Sequence, residues 1–374
     1  MALNVRVAGL ALGGQMVLSQ GSATVTAVLN GPYSFTPQVA AGSASGLRVS
    51  SQPVGQTCAV SELAPATVPA DGSPVFVRCV SQPAARLTVP DTLPNGALTL
   101  RFPLQDKAYP GLPYESRPGV VGGIFPYEYR LLSFTRDGVT QDASTLKLDF
   151  RAGTVRFTPS VEGNYAVTLE VRDSGAVQKT LQQTFNIKVA ASSFAFVAPD
   201  GLDAAGRGSR GAPFKTIAYA QANNGPDKVL LLRKGRYSAV GLAPADDKAK
   251  QVVAYPDEVV TLDVARSSSI DIRSDRLPMP RIEGVDITGV IQYGINVDPA
   301  LAGAVIRNVR FVDGQEGPVK FENPAFIHTW GDVLPRHKLL VQDNDFGRYV
   351  GAGYATTLYD VFDSIIENNQ LRLG

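Results

Sequence analysis

Across 374 residues there are only two cysteines, two histidines, one tryptophan and three methionines. The only imidazoles are those of His328 and His337. Excess charge of either sign is also missing. Lys and Arg number 35 against 34 Asp and Glu, a net +1, so no general field recruits nucleic acid or an anionic membrane. No apolar run approaches the roughly 20 residues of a membrane span. The start, MALNVRVAGLALGG, lacks the charged and long apolar regions of a signal peptide. A Met-Ala start directly before a strand reads as a start after a removed leader. HExxH, GxSxG, CxxC and Walker patterns do not occur. AGRGSRG (205–211) has GxGxxG spacing, but no parallel βαβ pattern with a ribose-binding acid follows it, so it is not a dinucleotide fingerprint.

What is plentiful is turn chemistry. The chain has 36 Gly and 26 Pro, which suits turn-rich β architecture better than helix bundles. Residues 3 to about 82 form short, mostly alternating runs (NVRVAGLA, QMVLSQ, ATVTAVLN, YSFTPQVA, GLRVSSQP, TCAVSE, VFVRCV) broken by Gly, Ser, Asn and Pro. Cys58 and Cys79 lie in two of these runs. They are either a disulfide closing a loop of about 20 residues, worth roughly 3 kcal/mol, or two buried thiols. The bridge implies an exported protein. A Pro-rich stretch from Ala84 to about Gly119 contains one alternating strand, ALTLRF. PYEYRLLSF, TLKLDF, GTVRFTP, GNYAVTLEVRD and LQQTFNIKV then follow at sandwich spacing up to Val189. Ala190 to Ser193 is a short joint of small residues.

GPYSFTP, VSSQPVGQTCAV and VFVRC together resemble a Cys-bridged β-sandwich module repeated on bacterial surface proteins, whose two cysteines pair. Tyr127-x-Tyr129, Gly153-Thr154-Val155-x-Phe157-x-Pro159, Glu162-Gly163-Asn164-Tyr165 and Val171-Arg172-Asp173-Ser174 resemble immunoglobulin-like modules related to cadherin repeats. Of the acidic set that binds calcium between cadherin repeats only Asp173 has a counterpart, so no calcium site is carried over. Both stretches read as spacers.

The segment 194–237 is different. A short strand, Phe194 to Val197, runs into Asp200-Gly201-x-Asp203 and a Gly-rich loop. Pro213-Phe214-x-Thr216-Ile217 then opens a helix expected over 214–223, and VLLL with Lys234-Gly235-x-Tyr237 closes the unit. These five elements in order resemble the opening segment of bacterial right-handed parallel β-helix proteins, many of them polysaccharide lyases or related carbohydrate-active proteins. Four later stretches align: Ile282-Glu-Gly-Val-Asp-Ile287, Ile306-Arg-Asn-Val-Arg-Phe311, Val341-Gln-Asp-Asn-Asp-Phe346 and Ile366-Glu-Asn-Asn-Gln-Leu371, with starts 24, 35 and 25 residues apart. Apolar residues at the first and sixth positions predict stacked strands. Gly, Asn or Asp at the third predicts a left-handed turn, whose Asn side chains could bond along the stack.

The expected fold is therefore all-β: a Cys-bridged β-sandwich (1–83), an immunoglobulin-like β-sandwich (84–190) and a right-handed parallel β-helix (191–374) with an N-terminal capping helix. The chain stops three residues after the fourth repeat, which reads as a β-helix continuing natively or ending against another subunit. Chemistry is expected in the long interval, where the loop Gly317 to Lys338 holds both histidines, the tryptophan, Glu322 and Asp332. His328, Arg336, His337 and Lys338 are the candidate catalytic groups for eliminating across an acidic sugar. Trp330, with Arg348, Tyr349 and Tyr354 on the next turn, is the candidate substrate platform. Calcium is the one cofactor considered, at Asp200 and Asp203 first and at Asp343 and Asp345 second, although two acids fall short of its six to eight oxygen ligands. The expected partner is a polysaccharide and the expected location the cell exterior. The alternative is a non-catalytic surface or adhesion protein whose β-helix binds glycan or serves as a stalk. Oligomeric state is not readable.

Overall fold

The computed structural model describes residues 2–36, 39–90, 96–240, 242–266, 269–298, 300–315, 324–330, 337–351 and 353–372. It is all-β, with several parallel sheets. The chain divides into two compact units, Met1–Ala190 and Ala191–Gly374. No helix among the described residues is long and apolar enough to cross a membrane.

In the first unit, strands Gly31–Phe35, Leu3–Ala8, Val75–Ser81 and Gln56–Val60 lie side by side in that order, and Ala23–Ala27, Met16–Gln20 and Leu47–Ser51 make a second sheet. Alternation decides which face is buried. Leu3, Val5 and Val7 enter one apolar cluster with Leu18, Phe35, Val75 and Val77, while the residues between them stay partly exposed. Cys58 and Cys79 sit directly opposite each other on antiparallel strands and form a disulfide. Residues 98–189 carry their own apolar clusters. Phe134, Phe157 and Tyr165 pack ring on ring beneath a five-stranded sheet whose longest strands are Glu128–Arg136, Gly163–Arg172 and Thr180–Val189. Asp173 is buried. Its carboxylate accepts from the backbone N–H groups of Ile124 and Lys179 and so fixes a loop.

The second unit consists of three parallel sheets visited in rotation. One runs through Phe194–Val197, Val229–Leu232, Gln251–Ala254, Arg281–Glu283, Ala300–Arg307, His337–Gln342 and Ile365–Glu367. The second runs through Gly235–Ser238, Val260–Asp263, Asp286–Thr288, Arg310–Gln315, Asp345–Val350 and Gln370–Leu371. The third contains Ile270–Ile272, Tyr293–Val297, Ala325–Thr329 and Tyr354–Thr357. The repeat alignment is the register itself: Ile282 pairs Ile306, which pairs Val341, which pairs Ile366. Ile287, Phe311, Phe346 and Leu371 form the second column. Most of these side chains join one continuous apolar core.

Between the two columns the chain turns through a left-handed residue each time. Gly284, Asn308, Asp343 and Asn368 have φ of 76°, 51°, 59° and 53°. The main amide ladder, however, belongs to the next position. Asn344 is 1% exposed; its Oδ1 accepts from the Val309 N–H at 2.9 Å, and its Nδ2 donates to Ile306 O at 3.0 Å and to Asn369 Oδ1 at 2.9 Å. At the expected third position Asn368 Nδ2 donates to Asp343 Oδ1.

The helix is shorter than expected, Ile217–Ala222. Phe214 stays extended because its N–H bonds Phe196 O and its ring enters the core. Asp203 Oδ1 accepts the N–H groups of Lys215 and Thr216, and Thr216 Oγ1, as N-cap, accepts from Tyr219 N. Ile217 and Ala220 belong to the same apolar core as the first strands. Two loop glycines exist for Phe214: a Cβ at Gly201 would sit 2.2 Å from its carbonyl oxygen, and one at Gly208 would sit 2.4 Å from its ring.

Candidate functional site

The stretch expected to be a long loop contains a strand. Ala325–Thr329 is buried throughout and takes its place in the third parallel sheet between Tyr293–Val297 and Tyr354–Thr357. The rest of Gly317 to Lys338 contributes only Pro324, Trp330, His337 and Lys338 to the described residues. Glu322, Asp332 and the candidate catalytic Arg336 lie outside them.

His328 occupies one rung of a polar column: Asp271 pairs Asn296, Asn296 pairs His328, and His328 pairs Thr357. Asn296 Nδ2 donates to Asp271 Oδ1 at 3.3 Å, which leaves Asn296 Oδ1 to accept from His328 Nδ1 at 3.1 Å. That direction assigns the Nδ1–H tautomer. Tyr293 stacks on the imidazole at 3.9 Å, Trp330 meets it edge-on at 4.9 Å and Tyr359 at 6.2 Å. The ring is 2% exposed. Burial, helped by nearby His337 and opposed by Asp298, pulls its pKa down to about 4, so it is neutral at physiological pH.

His337 is fully buried at the start of its strand, with Nε2 2.9 Å from the carbonyl oxygen of Trp330. Both histidines therefore converge on Trp330, one through the indole and one through the backbone. Trp330 itself is 49% exposed, and Tyr354 and Tyr359 are 54% and 41% exposed. Tyr354 lies on the same sheet, in register with Ala325 and, through it, Tyr293.

The other candidates fall elsewhere. Tyr349, expected in a groove, is partly buried against the core: its ring packs on Phe326 and its hydroxyl donates to Ile291 O at 2.7 Å. Arg348 is exposed but stands on the second sheet, beside Asp313. Lys338 is half-buried on the first sheet. Asp203 spends both carboxylate oxygens on Lys215 and Thr216, and Asp200 stands in a cleft with Arg210, Arg233 and Lys234. Asp343 and Asp345 are in ion pairs with Arg307 and Arg372. Among the described residues no group of three His, Cys, Asp or Glu could hold a metal ion.

Sequence reading missed Tyr293, Asn296 and Tyr359. The signal for the first two was register: Ile-Asp-Ile (270–272), Ile-Asn-Val (295–297) and Ile-His-Thr (327–329) are the same three positions one turn apart. Chemically, a neutral imidazole locked under tyrosine and tryptophan is a poor proton acceptor and a good support. Its conjugate acid, at about 4, is too strong for a base near neutral pH. What the arrangement offers to solvent is an aromatic surface held rigid from behind.

No family model matches the chain, and no curated protein matches it. Among solved structures it is similar to the extracellular cadherin domains 3–6 of protocadherin gamma B2, at 13% identity over 50% of each chain with a TM-score of 0.21. It is also similar to two Bacteroides fragilis proteins. One is assigned as an alpha-galactosidase (12% identity, 45% of each chain, TM-score 0.22). The other is assigned as an alpha-galactosidase/melibiase (13% identity, 51% of this chain and 47% of that one, TM-score 0.23). The chain spans about half the length of these matches, and at this overlap they bear on neither mechanism nor ligand.

Proposed function

We propose that the protein is an exported polysaccharide-binding protein, in which β-sandwich modules over 1–83 and 84–190 carry a right-handed parallel β-helix over 191–374. Three parallel sheets visited in rotation, with near-constant register, support the β-helix. The nearly universal right-handedness of parallel crossovers supports its hand. The Cys58–Cys79 bridge supports export. One observation carries the binding function: Trp330, Tyr354 and Tyr359 remain about half exposed around a strand otherwise buried at every residue. Aromatic faces of that kind pack against the C–H faces of sugar rings while their polar edges meet hydroxyls.

Trp330 is the only tryptophan, so its fluorescence reports on this face alone. Titration with a panel of neutral and uronate polysaccharides should shift the emission for at least one member. Trp330→Ala should weaken that binding roughly tenfold, the worth of one stacked ring. An unresponsive tryptophan across the panel, with unaltered binding by the variant, sinks the proposal.

A further inference from the structure

The opening loop of the second unit borders an open cleft of about 430 Å³, lined by Pro199, Asp200, Arg210, Pro213, Arg233 and Lys234 among others. Its chemistry is set by how each charge is already committed. Arg233 is bound bidentately to Glu258, with Nε at 3.0 Å from both oxygens and Nη2 at 2.7 Å from one. That pair is close to neutral and rigid. Arg210 differs. It is exposed, and Nη2 donates at 2.8 Å to the hydroxyl of Tyr255, a neutral phenol. Tyr255 is buried, with Arg233 Cζ 4.5 Å and Arg210 Cζ 5.8 Å from its ring centre. One arginine is thus neutralised as a wall, and the other is held in place with its charge uncancelled by any carboxylate bond among the described residues.

We infer that this cleft is a subsite for the carboxylate of an acidic sugar, with Arg210 as the group that contacts it. Asp200 distinguishes a sugar acid from a bare anion. A small dianion placed here gains Arg210 but meets the Asp200 carboxylate, whereas a uronate can offer that carboxylate its hydroxyls as donors. Pro199 and Pro213 supply an apolar wall for the ring. Tyr255 acts as a positioning residue, because it aims the guanidinium and touches no ligand.

The inference rests on the glycan reading above, and calorimetric titration of the full chain separates the two. The probes are an oligogalacturonate, its fully methyl-esterified counterpart and inorganic sulfate. The acid should bind the wild type, and esterification should weaken binding about tenfold or more, the worth of one charge-assisted bond. Arg210→Ala should lose a similar factor. Arg210→Lys should recover part of it, having charge without the planar fork. Tyr255→Phe, which keeps the stacked ring, should fall between wild type and Arg210→Ala. Unchanged affinity in Arg210→Ala, with Trp330→Ala weakened, overturns the subsite and leaves the aromatic face standing. The converse removes the aromatic face and keeps the subsite. Sulfate binding as tightly as the oligomer marks an unspecific anion site and overturns the inference. A wild type that binds no uronate overturns the subsite, and a neutral polysaccharide that still shifts Trp330 emission then leaves the glycan reading standing.

Discussion

Replacing Asn344 by alanine asks whether the amide ladder holds the parallel sheets in register or merely decorates a turn. The side chain is 1% exposed and satisfies two backbone groups that have little access to water: the N–H of Val309 and the carbonyl of Ile306, both on residues 1% exposed or less. Alanine strands the Val309 N–H, while the Ile306 carbonyl, whose residue pairs Val341 in the sheet, loses only a second donor. An orphaned buried group costs about 1–3 kcal/mol, so the variant should lose roughly that much, a large share of a typical domain's stability. The lost bond to Asn369 Oδ1 adds to this. Asn344→Asp keeps the acceptor for Val309 but turns a carboxylate toward the Ile306 carbonyl and Asn369, so it should be worst at neutral pH and recover in acid. The control is Asn368→Ala, one residue before the next rung. It loses a bond to Asp343 and must hold φ of 53° without its amide, at about 1–2 kcal/mol. Urea unfolding followed by Trp330 emission reads the unit that contains the ladder. An Asn344→Ala midpoint within about 0.5 kcal/mol of wild type, at equal slope, would refute the ladder as a stabilising element.

Other expectations follow from single observations. His328 has a folded pKa near 4 against an ordinary 6.5, so the unfolded chain takes up its proton first as pH falls. Its contribution is therefore fully present above about 6.5 and lost progressively toward 4. Urea midpoints should drop between pH 7 and pH 5, and His328→Gln should flatten that drop; a parallel profile in the variant argues against the buried neutral ring. Removing the Cys58–Cys79 bridge by double serine substitution should cost about 3 kcal/mol for a closed loop of this length, read as a lower calorimetric transition; an unmoved transition counts against it. Gly208→Ala forces a Cβ to 2.4 Å from the Phe214 ring at φ of 99°, which should cost about 2–4 kcal/mol by thermal unfolding, and a variant as stable as wild type would mean the loop can move away from Phe214.

The repeat was legible because in-register stacking turns sequence periodicity into spatial columns. Ile282, Ile306 and Val341 had to be apolar for the same reason, burial in one core, and the spacing of the column that Ile366 continues survived even an interval lengthened from about 24 to 35 residues. The third-position turns were legible because few residues besides Gly, Asn and Asp accept a positive φ cheaply. The helix was overextended because Pro213-Phe214 looks like a helix start, and nothing local announces that Asp203 will claim the N–H groups of Lys215 and Thr216. The neighbouring Asn344 and Asn369 were confused with the turn residues beside them, since Asn suits both an exposed left-handed turn and a buried amide ladder, and only burial separates the two roles.

The site was harder for the opposite reason. The 35-residue interval implies an inserted loop, and the histidines and tryptophan within it imply chemistry there. Yet Ala325 to Thr329 follows the same rule as its neighbours: Ile327 sits between Ile295 and Thr356 in one column, and His328 follows Asn296 and Asp271 in the next. The connections leading into the third sheet vary in length, so its columns can be found only after the first two sheets have anchored each turn. Once they are found, the polar column explains the histidine without catalysis. Asp271 orients Asn296, Asn296 selects the tautomer of His328, and His328 braces Tyr293 and Trp330. On the binding function proposed above, what matters in such a fold is which side chains stay exposed at the edge of these columns, here Trp330, Tyr354 and Tyr359.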